Sequence, residues 1–352
     1  MKLLLLSVGL MVASLAPFAQ DSSNRTLDIY FIDVDGGQST LLILPGRQTL
    51  LVDAGYPSTG TFDSRPGDPT EARDARRILE VTKLAGVSRI DYLLVTHYHA
   101  DHVGGVPELA QLIPIDTFID HGRVSEDAER VVGTTAMYQA YATVRAKGRH
   151  LEPKPGDRLP LSGAEITVIS SAGATIATSV GGASPSRNVA CTPSGIPAQE
   201  PTENPRSLGF LLQFGAFRFL DVGDLTGPPL FSLACPFDHI GPVDVYLVAH
   251  HGGADAADPS VYAAVTPRVA ILNNGPIKGG APETLKALHA LRGTDTWQLH
   301  RSEITGSQNS AADQIANLGD TTSNWIRIRA SADGSFVVLN GRTGAARRYP
   351  PH

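Results

Sequence analysis

The sequence predicts an α/β fold of layered sheets and helices that carries its chemistry on loops at strand ends. Two observations predict this. Strand-like apolar runs and helix-like segments mix in both halves of the 352-residue chain. Several of those runs end in turns rich in His and Asp, above all His97-Tyr98-His99-Ala100-Asp101-His102. Composition permits the core such a fold needs, with 42% hydrophobic and 18% charged residues, a balance that argues against general disorder. The length suits one large or two small domains, and we expect one domain from residue 20 to 352.

The chain opens on Met1-Lys2 and an apolar run from Leu3 to Ala19. One positive charge, a Leu-rich stretch and small residues at its end read as a secretory signal, cut after Ala16 or Ala19. The run is short for a membrane span, which needs about 20 apolar residues. The expectation is therefore a periplasmic or secreted protein with no span after cleavage. Net charge is -6 and no long basic run occurs, so nothing predicts non-specific affinity for nucleic acid or anionic lipid. In an exported chain Cys191 and Cys235 could pair as a disulfide or remain free thiols; two cysteines make a poor Zn-thiolate site.

The elements follow in order. Leu27–Ile32, Thr40–Leu44 and Thr49–Gly55 are rich in β-formers and separated by Gly- and Pro-containing turns, which predicts three strands at an antiparallel sheet edge. Asp68-Pro69-Thr70-Glu71 supplies cap, Pro and Glu for a helix that runs to about Leu84, where Gly86 stops it. Arg89–Thr96 reads as a buried strand ending at the His-rich motif. A short helix from Gly104 to Leu112, a strand Ile115–Ile119 and a helix Thr134–Lys147 come next. Ala172–Pro205, rich in Ser, Gly, Ala and Pro, reads as a long loop, and loops of that length are usually functional or mobile. Leu208–Phe214 and Phe217–Val222 form a hairpin through Gly215-Ala216. Val243–Ala249 is a buried strand, Asp258-Pro259 caps a helix to Val265, Val269–Leu272 is a strand, and Pro282 starts a helix ended by Gly293. Trp325–Arg329 and Phe336–Asn340 make a last hairpin around Asp333-Gly334.

The chemistry concentrates in His97-x-His99-x-Asp101-His102. Zinc takes imidazole and carboxylate ligands. This motif puts three imidazoles and one carboxylate on a short loop behind a strand. His97 and His99 can face one point and Asp101 and His102 a second, so the loop can serve two ions. Asp224, ending the apolar run before Gly223, can bridge them, although a turn-forming role is the plain alternative. His250 or His251, after another buried strand, can complete the second shell, and the other member of the pair can orient substrate or move a proton.

These residues, in this order, together with Val52-Asp53-Ala54-Gly55, resemble the metallo-β-lactamase superfamily. Phe31-Ile32-Asp33-Val34-x-Gly-Gly-Gln38, Asn204-Pro205-Arg206-Ser207-Leu208 and Ala249-His250-His251-Gly252 look like its branch containing the hydrolase domain of ComEC-type DNA-uptake proteins. The resemblance implies a four-layer αββα sandwich. It implies metal ligands His97, His99, Asp101, His102, Asp224 and one of His250 and His251, with Asp53 beneath the site holding the His loop rather than binding metal. Many members have a further His some 20 residues before the bridging Asp, in line with the family pattern. Here that region carries Asn204, placed at the substrate side, and an amide is a weaker zinc ligand than imidazole.

The expected activity is metal-dependent hydrolysis by a metal-bound hydroxide, on a phosphodiester or another ester of a small molecule or polymer, with lactones and lactams as further substrates. Two divalent ions are expected, zinc first and manganese or iron as alternatives. Asp101, His250 and His251 are the candidates for catalytic roles, and Tyr56 for lining the substrate pocket. His121, Asn273-Asn274-Gly275-Pro276 and Trp297-Gln298-Leu299-His300 are secondary candidates with ordinary loop readings. Two other functions fit the same ligands: an iron-dependent oxidoreductase of this fold, and a degenerate member that binds without turnover.

Overall fold

The computed structural model describes residues 26–352 apart from 62–64, 66, 68–70, 126–129, 131–132, 181–184, 193–196, 199 and 320–322. The signal-like run and most of the expected Asp68-Pro69-Thr70 cap lie outside the described residues. The chain first builds β1 (Leu27–Phe31), β2 (Thr40–Ile43) and β3 (Thr49–Val52), then α1 (Arg73–Leu84), β4 (Ile90–Leu94), α2 (Ala100–Val103), α3 (Val106–Leu112), β5 (Ile115–Ile119), α4 (Thr134–Arg145) and β6 (Arg149–Leu151). It continues through β7 (Glu165–Ser171), β8 (Ala174–Thr175), β9 (Ser186–Arg187), β10 (Gly209–Phe214), β11 (Phe217–Asp221), α5 (Gly227–Ala234), β12 (Phe237–Asp238) and β13 (Val245–Leu247). It ends with α6 (Pro259–Val265), β14 (Val269–Leu272), α7 (Pro282–Ala290), β15 (Asp295–His300), β16 (Ile315–Asn317), β17 (Ile326–Ala330), β18 (Phe336–Asn340) and β19 (Ala346–Tyr349).

Two large sheets result, ordered β19-β18-β17-β1-β2-β3-β4-β5-β6 and β16-β15-β14-β13-β11-β10-β7-β8. Alternation along each strand assigns its two faces. Leu27, Ile29 and Phe31 of β1 join Phe210, Phe219, Val245 and Ile271 of the other sheet in one buried cluster between the sheets. The opposite side of the first sheet, with Tyr30, Leu41, Leu51 and Leu93, packs on Ile78 of α1, Leu109 of α3 and Tyr141 of α4. The far side of the second, with Leu220, Tyr246 and Ala270, packs on Leu233 of α5, Val261 of α6 and Leu285 of α7. The layers are therefore α, β, β, α, as expected.

β3 to β6 run parallel in the first sheet and β11 and β13 to β16 in the second. Their C-terminal ends bring the loops after β3, β4, β11, β13 and β14 together. That is where open α/β sheets place ligands.

Several expectations change. The helix expected at Gly104 begins earlier: α2 takes in Asp101 and His102, and α3 follows as a separate segment. The metal-type motif is thus half loop and half helical turn. Helix α1 starts at Arg73, with Ala72 at its cap. Within Ala172–Pro205 lie the short β8 and β9 and the opening of a turn of 3-10 helix, Asn204–Arg206. Trp297–His300 is neither turn nor pocket loop but the buried core of β15. His300 Nε2 lies 2.6 Å from Asp33 Oδ1 and 3.2 Å from Asp35 Oδ1, just past β1, and ties the end of β15 in one sheet to the loop after β1 in the other. Arg73 and Arg77 of α1 pair with those two acids. Cys191 and Cys235 form a disulfide that pins the loop before Asn204 to the end of α5.

Candidate metal centre

β4 delivers the motif. Thr96 ends the strand's extension, and its amide and hydroxyl donate to the two oxygens of Asp53, at 2.8 and 2.7 Å. Asp53 is fully buried at a positive φ of 58° beyond β3. The backbone closes around this point: Ala54 N donates to His102 O at 2.7 Å, and Gln38 N to Asp101 O at 3.0 Å. Leu208 N donates to Thr96 O at 2.8 Å from the other sheet. Gly223, at a φ of 55°, packs so closely on Thr96 that a Cβ there would stand 2.8 Å from the threonine's own. Asp224 is thereby brought against the His loop.

The side chains converge. His102 Nε2 lies 3.0 Å from Asp224 Oδ2, 3.1 Å from Asp101 Oδ2 and 3.2 Å from His251 Nε2. His251 Nε2 lies 3.1 Å from Asp101 Oδ2 and from Asp224 Oδ2. Asp101, His102, Asp224 and His251 thus form one compact, buried donor set. His97 Nε2 and His99 Nδ1 face each other at 3.0 Å, and His97 Nε2 is 3.9 Å from Asp224 Oδ2. Asp224 stands between the two groups.

This arrangement fits divalent ions. Facing imidazole nitrogens cannot both present lone pairs to one another unless a proton or a cation lies between them. Asp224 Oδ1 is buried without a hydrogen-bond partner among the described residues, a costly state for a carboxylate that a cation relieves. Burial holds His97 and His99 below the ordinary histidine range, leaving them neutral donors. Burial opposes ionisation of Asp101 and Asp224, but Lys278 and His102 hold the first, and His102 and His251 the second, well below the usual carboxylate range. At His102 burial opposes positive charge, yet Asp224, Asp101 and Asp53 together drive its pKa well above the ordinary value. The centre of this cluster favours a cation.

His250 and His251 separate clearly. Both adopt left-handed backbone, with φ of 48° and 55°, which is uncommon for residues other than glycine. Bonds from His250 N to Gly223 O and from Gly280 N to His251 O hold the pair in place. His251 turns inward and His250 outward, with its Nδ1 2.8 Å from Asp255 Oδ2 and its Nε2 3.8 Å from Asp224. Burial opposes protonation of His250, but Asp224 and Asp255 raise its pKa to about 9.

The remaining candidates take other places. Tyr56 is buried at the edge of the cluster with its hydroxyl 3.5 Å from Lys278 Nζ. Asn204 is buried on its 3-10 turn, and its Oδ1 has no hydrogen-bond partner among the described residues. Its neighbour Glu203 lies 2.8 Å from His121 Nε2, and the His121 ring packs on Tyr98 at 4.5 Å. His121 therefore braces the back of the motif instead of joining the donor set. Asn273 and Asn274 are buried, the first near Gln38 and the second donating to His300 O.

Sequence reasoning missed Lys278, Asp221 and the role of Gln38. Lys278 Nζ donates to Asp101 Oδ2. Its only signal in the sequence is a lone cation between Pro276 and the Gly279-Gly280 pair. Gln38 donates to both oxygens of Asp221, at 3.1 and 3.0 Å, and burial raises Asp221 to about 7.

Residues 33–187 match the family model described as Metallo-beta-lactamase superfamily. With the two-sheet architecture, this match defines the fold as the mixed α/β metallo-beta-lactamase fold. Among curated proteins, the chain is 37% identical over 114 residues to the lactamase-like protein aptB of Emericella nidulans, covering 28% of this chain and 35% of the relative. It is 32% identical over 78 residues to the atrochrysone carboxyl ACP thioesterase dmxR1 of a Cryptosporiopsis species, covering 22% of this chain and 20% of that one. The matches therefore span about a third or less of these relatives. Among solved structures, the metallo-beta-lactamase fold protein YhfI from Bacillus subtilis aligns with a TM-score of 0.44 at 12% identity, over 78% of this chain and 96% of that one.

Proposed function

We propose that this protein is a metal-dependent hydrolase acting on an ester-type bond. One observation carries the reading: four buried donors from three separate segments, Asp101 and His102 on α2, Asp224 after β11 and His251 after β13, converge, and the second oxygen of Asp224 has no hydrogen-bond partner among the described residues. Two ions fit the donors, one among Asp101, His102, Asp224 and His251, the other among His97, His99 and Asp224. Bound divalent metal supplies Lewis acidity and lowers the pKa of water toward neutrality.

The chain's own residues do the rest. Asp53 and Thr96 fix the orientation of the His loop. The closed packing of the 36–38 and 275–280 loops covers one side of the centre. His250, half-turned to solvent and held by Asp255, presents Nε2 toward the open side, where it can deliver a proton to a leaving atom. The substrate class we favour is a phosphodiester, following the ComEC-like motifs. The relatives named as thioesterase and lactamase-like widen the set to thioesters and lactams. Zinc is our first choice of metal, with manganese or iron as alternatives. We also propose export, which the Cys191–Cys235 disulfide supports, because such bonds persist in oxidising compartments.

The test is elemental analysis of purified wild type and Asp224→Ala, followed by a screen with bis(p-nitrophenyl) phosphate, an acyl thioester and a lactone. About two zinc or manganese ions per chain, falling in the variant together with hydrolysis, is the expected result. Iron with no hydrolysis would replace this reading with redox chemistry. Metal-free protein that cannot be reloaded would leave a binding protein.

A further inference from the structure

We propose that Lys278 sets how many divalent ions the centre holds, by competing for the carboxylate oxygen that the second ion needs. The inference rests on the metal-centre reading above. Asp101 Oδ2 is the atom that faces His102 Nε2 and His251 Nε2, each at 3.1 Å. Lys278 Nζ donates to that same oxygen. The ammonium therefore points into the Asp101 half of the centre.

Local backbone places it there. Lys278 lies on the loop after β14, and Gly275 N donates to Lys278 O at 2.8 Å. Gly280 N donates to His251 O at 3.0 Å. Gly279, at a φ of 68°, sits so near His251 that an added Cβ would stand 2.6 Å from the histidine's Cβ. On the other side, a Cβ on Gly36 would meet Lys278 Cβ at 3.0 Å. The loop that carries the lysine is thus held between the loop after β1 and His251. The lysine head has a second resting place: Tyr56 Oη is 3.5 Å from Nζ, the Tyr56 ring centroid is 5.6 Å away, and the side chain is 26% exposed.

An ammonium and a divalent cation on one carboxylate oxygen repel each other and draw on the same lone pairs. Binding at the Asp101 half must either push Lys278 toward Tyr56 or accept a weakened carboxylate. The His97–His99–Asp224 half does not carry that hydrogen bond. Loading is therefore stepwise, with a tight first ion and a weak second one.

The experiment is titration of metal-stripped, full-length mature protein with Zn²⁺ and separately with Mn²⁺, read by calorimetry and by elemental analysis after dialysis. Wild type, Lys278→Met and Lys278→Arg are compared, with thermal unfolding recorded for each. The expected result is one tight and one weak step in wild type, and a second step tightened by at least about tenfold in Lys278→Met. Lys278→Arg, which keeps the charge, should retain the weak second step. Superimposable wild-type and Lys278→Met isotherms would overturn the proposal, as would a weaker second step in Lys278→Met, since the lysine would then support Asp101 instead of competing for it. Failure of every variant, wild type included, to bind metal would overturn the metal-centre reading itself.

Discussion

Asp53 and His102 are joined through one ring nitrogen while the opposite nitrogen faces the buried donor cluster: Asp53 Oδ2 lies 2.8 Å from His102 Nδ1, and His102 Nε2 lies 3.0 Å from Asp224 Oδ2. A carboxylate on Nδ1 fixes the proton there and leaves Nε2 as the donor.

Asp53→Asn keeps the shape and removes the charge. Loss of such outer partners costs about 10–100-fold in metal affinity, and we expect a drop in that range in a zinc competition assay. Unchanged affinity would show that Thr96 and the backbone alone orient His102.

The two neighbouring histidines should respond differently. His251→Ala removes a donor lying 3.1 Å from both Asp101 and Asp224, so the bound-metal count should fall. His250→Ala should leave that count at the wild-type value, because its Nε2 stands 3.8 Å from Asp224. Equal losses in elemental analysis would mean that both histidines serve as ligands.

Stability should depend on pH through His300. Burial opposes its protonation, but Asp33 and Asp35 raise its pKa from 6.5 to about 9 in the folded protein. A raised folded-state value gives stabilisation that is whole below about pH 6.5 and is lost as pH rises through 9. The shift corresponds to roughly 3 kcal/mol. Chemical denaturation between pH 6 and 10 should show this decline in wild type and a flatter profile in His300→Gln. Parallel profiles would assign the decline to other groups.

The Cys191–Cys235 bond closes a sequence separation of 44 residues. Cross-links of that span typically contribute about 2–4 kcal/mol. Replacing both cysteines with serine should lower the urea midpoint accordingly. An unchanged midpoint would show that α5 and the 188–191 turn hold together through their other contacts, such as the Asn188 bonds to Ala234 O and Ser260 O.

Several strands were readable because they leave local marks, and the His- and Asp-rich motif whose residues gather at the candidate site stood out for the same reason. Val269–Leu272 and Ile115–Ile119 match the expected bounds, since apolar β-formers stand between turn residues there. Asp258 caps α6 as its position before Pro259 implied, accepting from Ser260 N. What stayed hidden depends on contacts between distant segments. The choice between His250 and His251 rests on two consecutive left-handed residues, which no residue type announces. Asp295–His300 mixes polar and apolar residues, so Trp297–His300 read as a loop, although the strand is almost wholly buried in the second sheet. Lys278 and Asp101 are 177 residues apart, and only the fold makes them neighbours. Cys191 and Cys235 were ambiguous for the same reason.

Strand β1 lies between β2, its neighbour in sequence, and β17, with Leu27 opposite Ala330. β1 thus has one bare edge until β17, far along the chain, is in place. Before that pairing the edge is a sticky template for other strands, and a piece ending near residue 187, where the family match stops, would keep it permanently. Completion of the first sheet therefore waits on β17, which covers that edge.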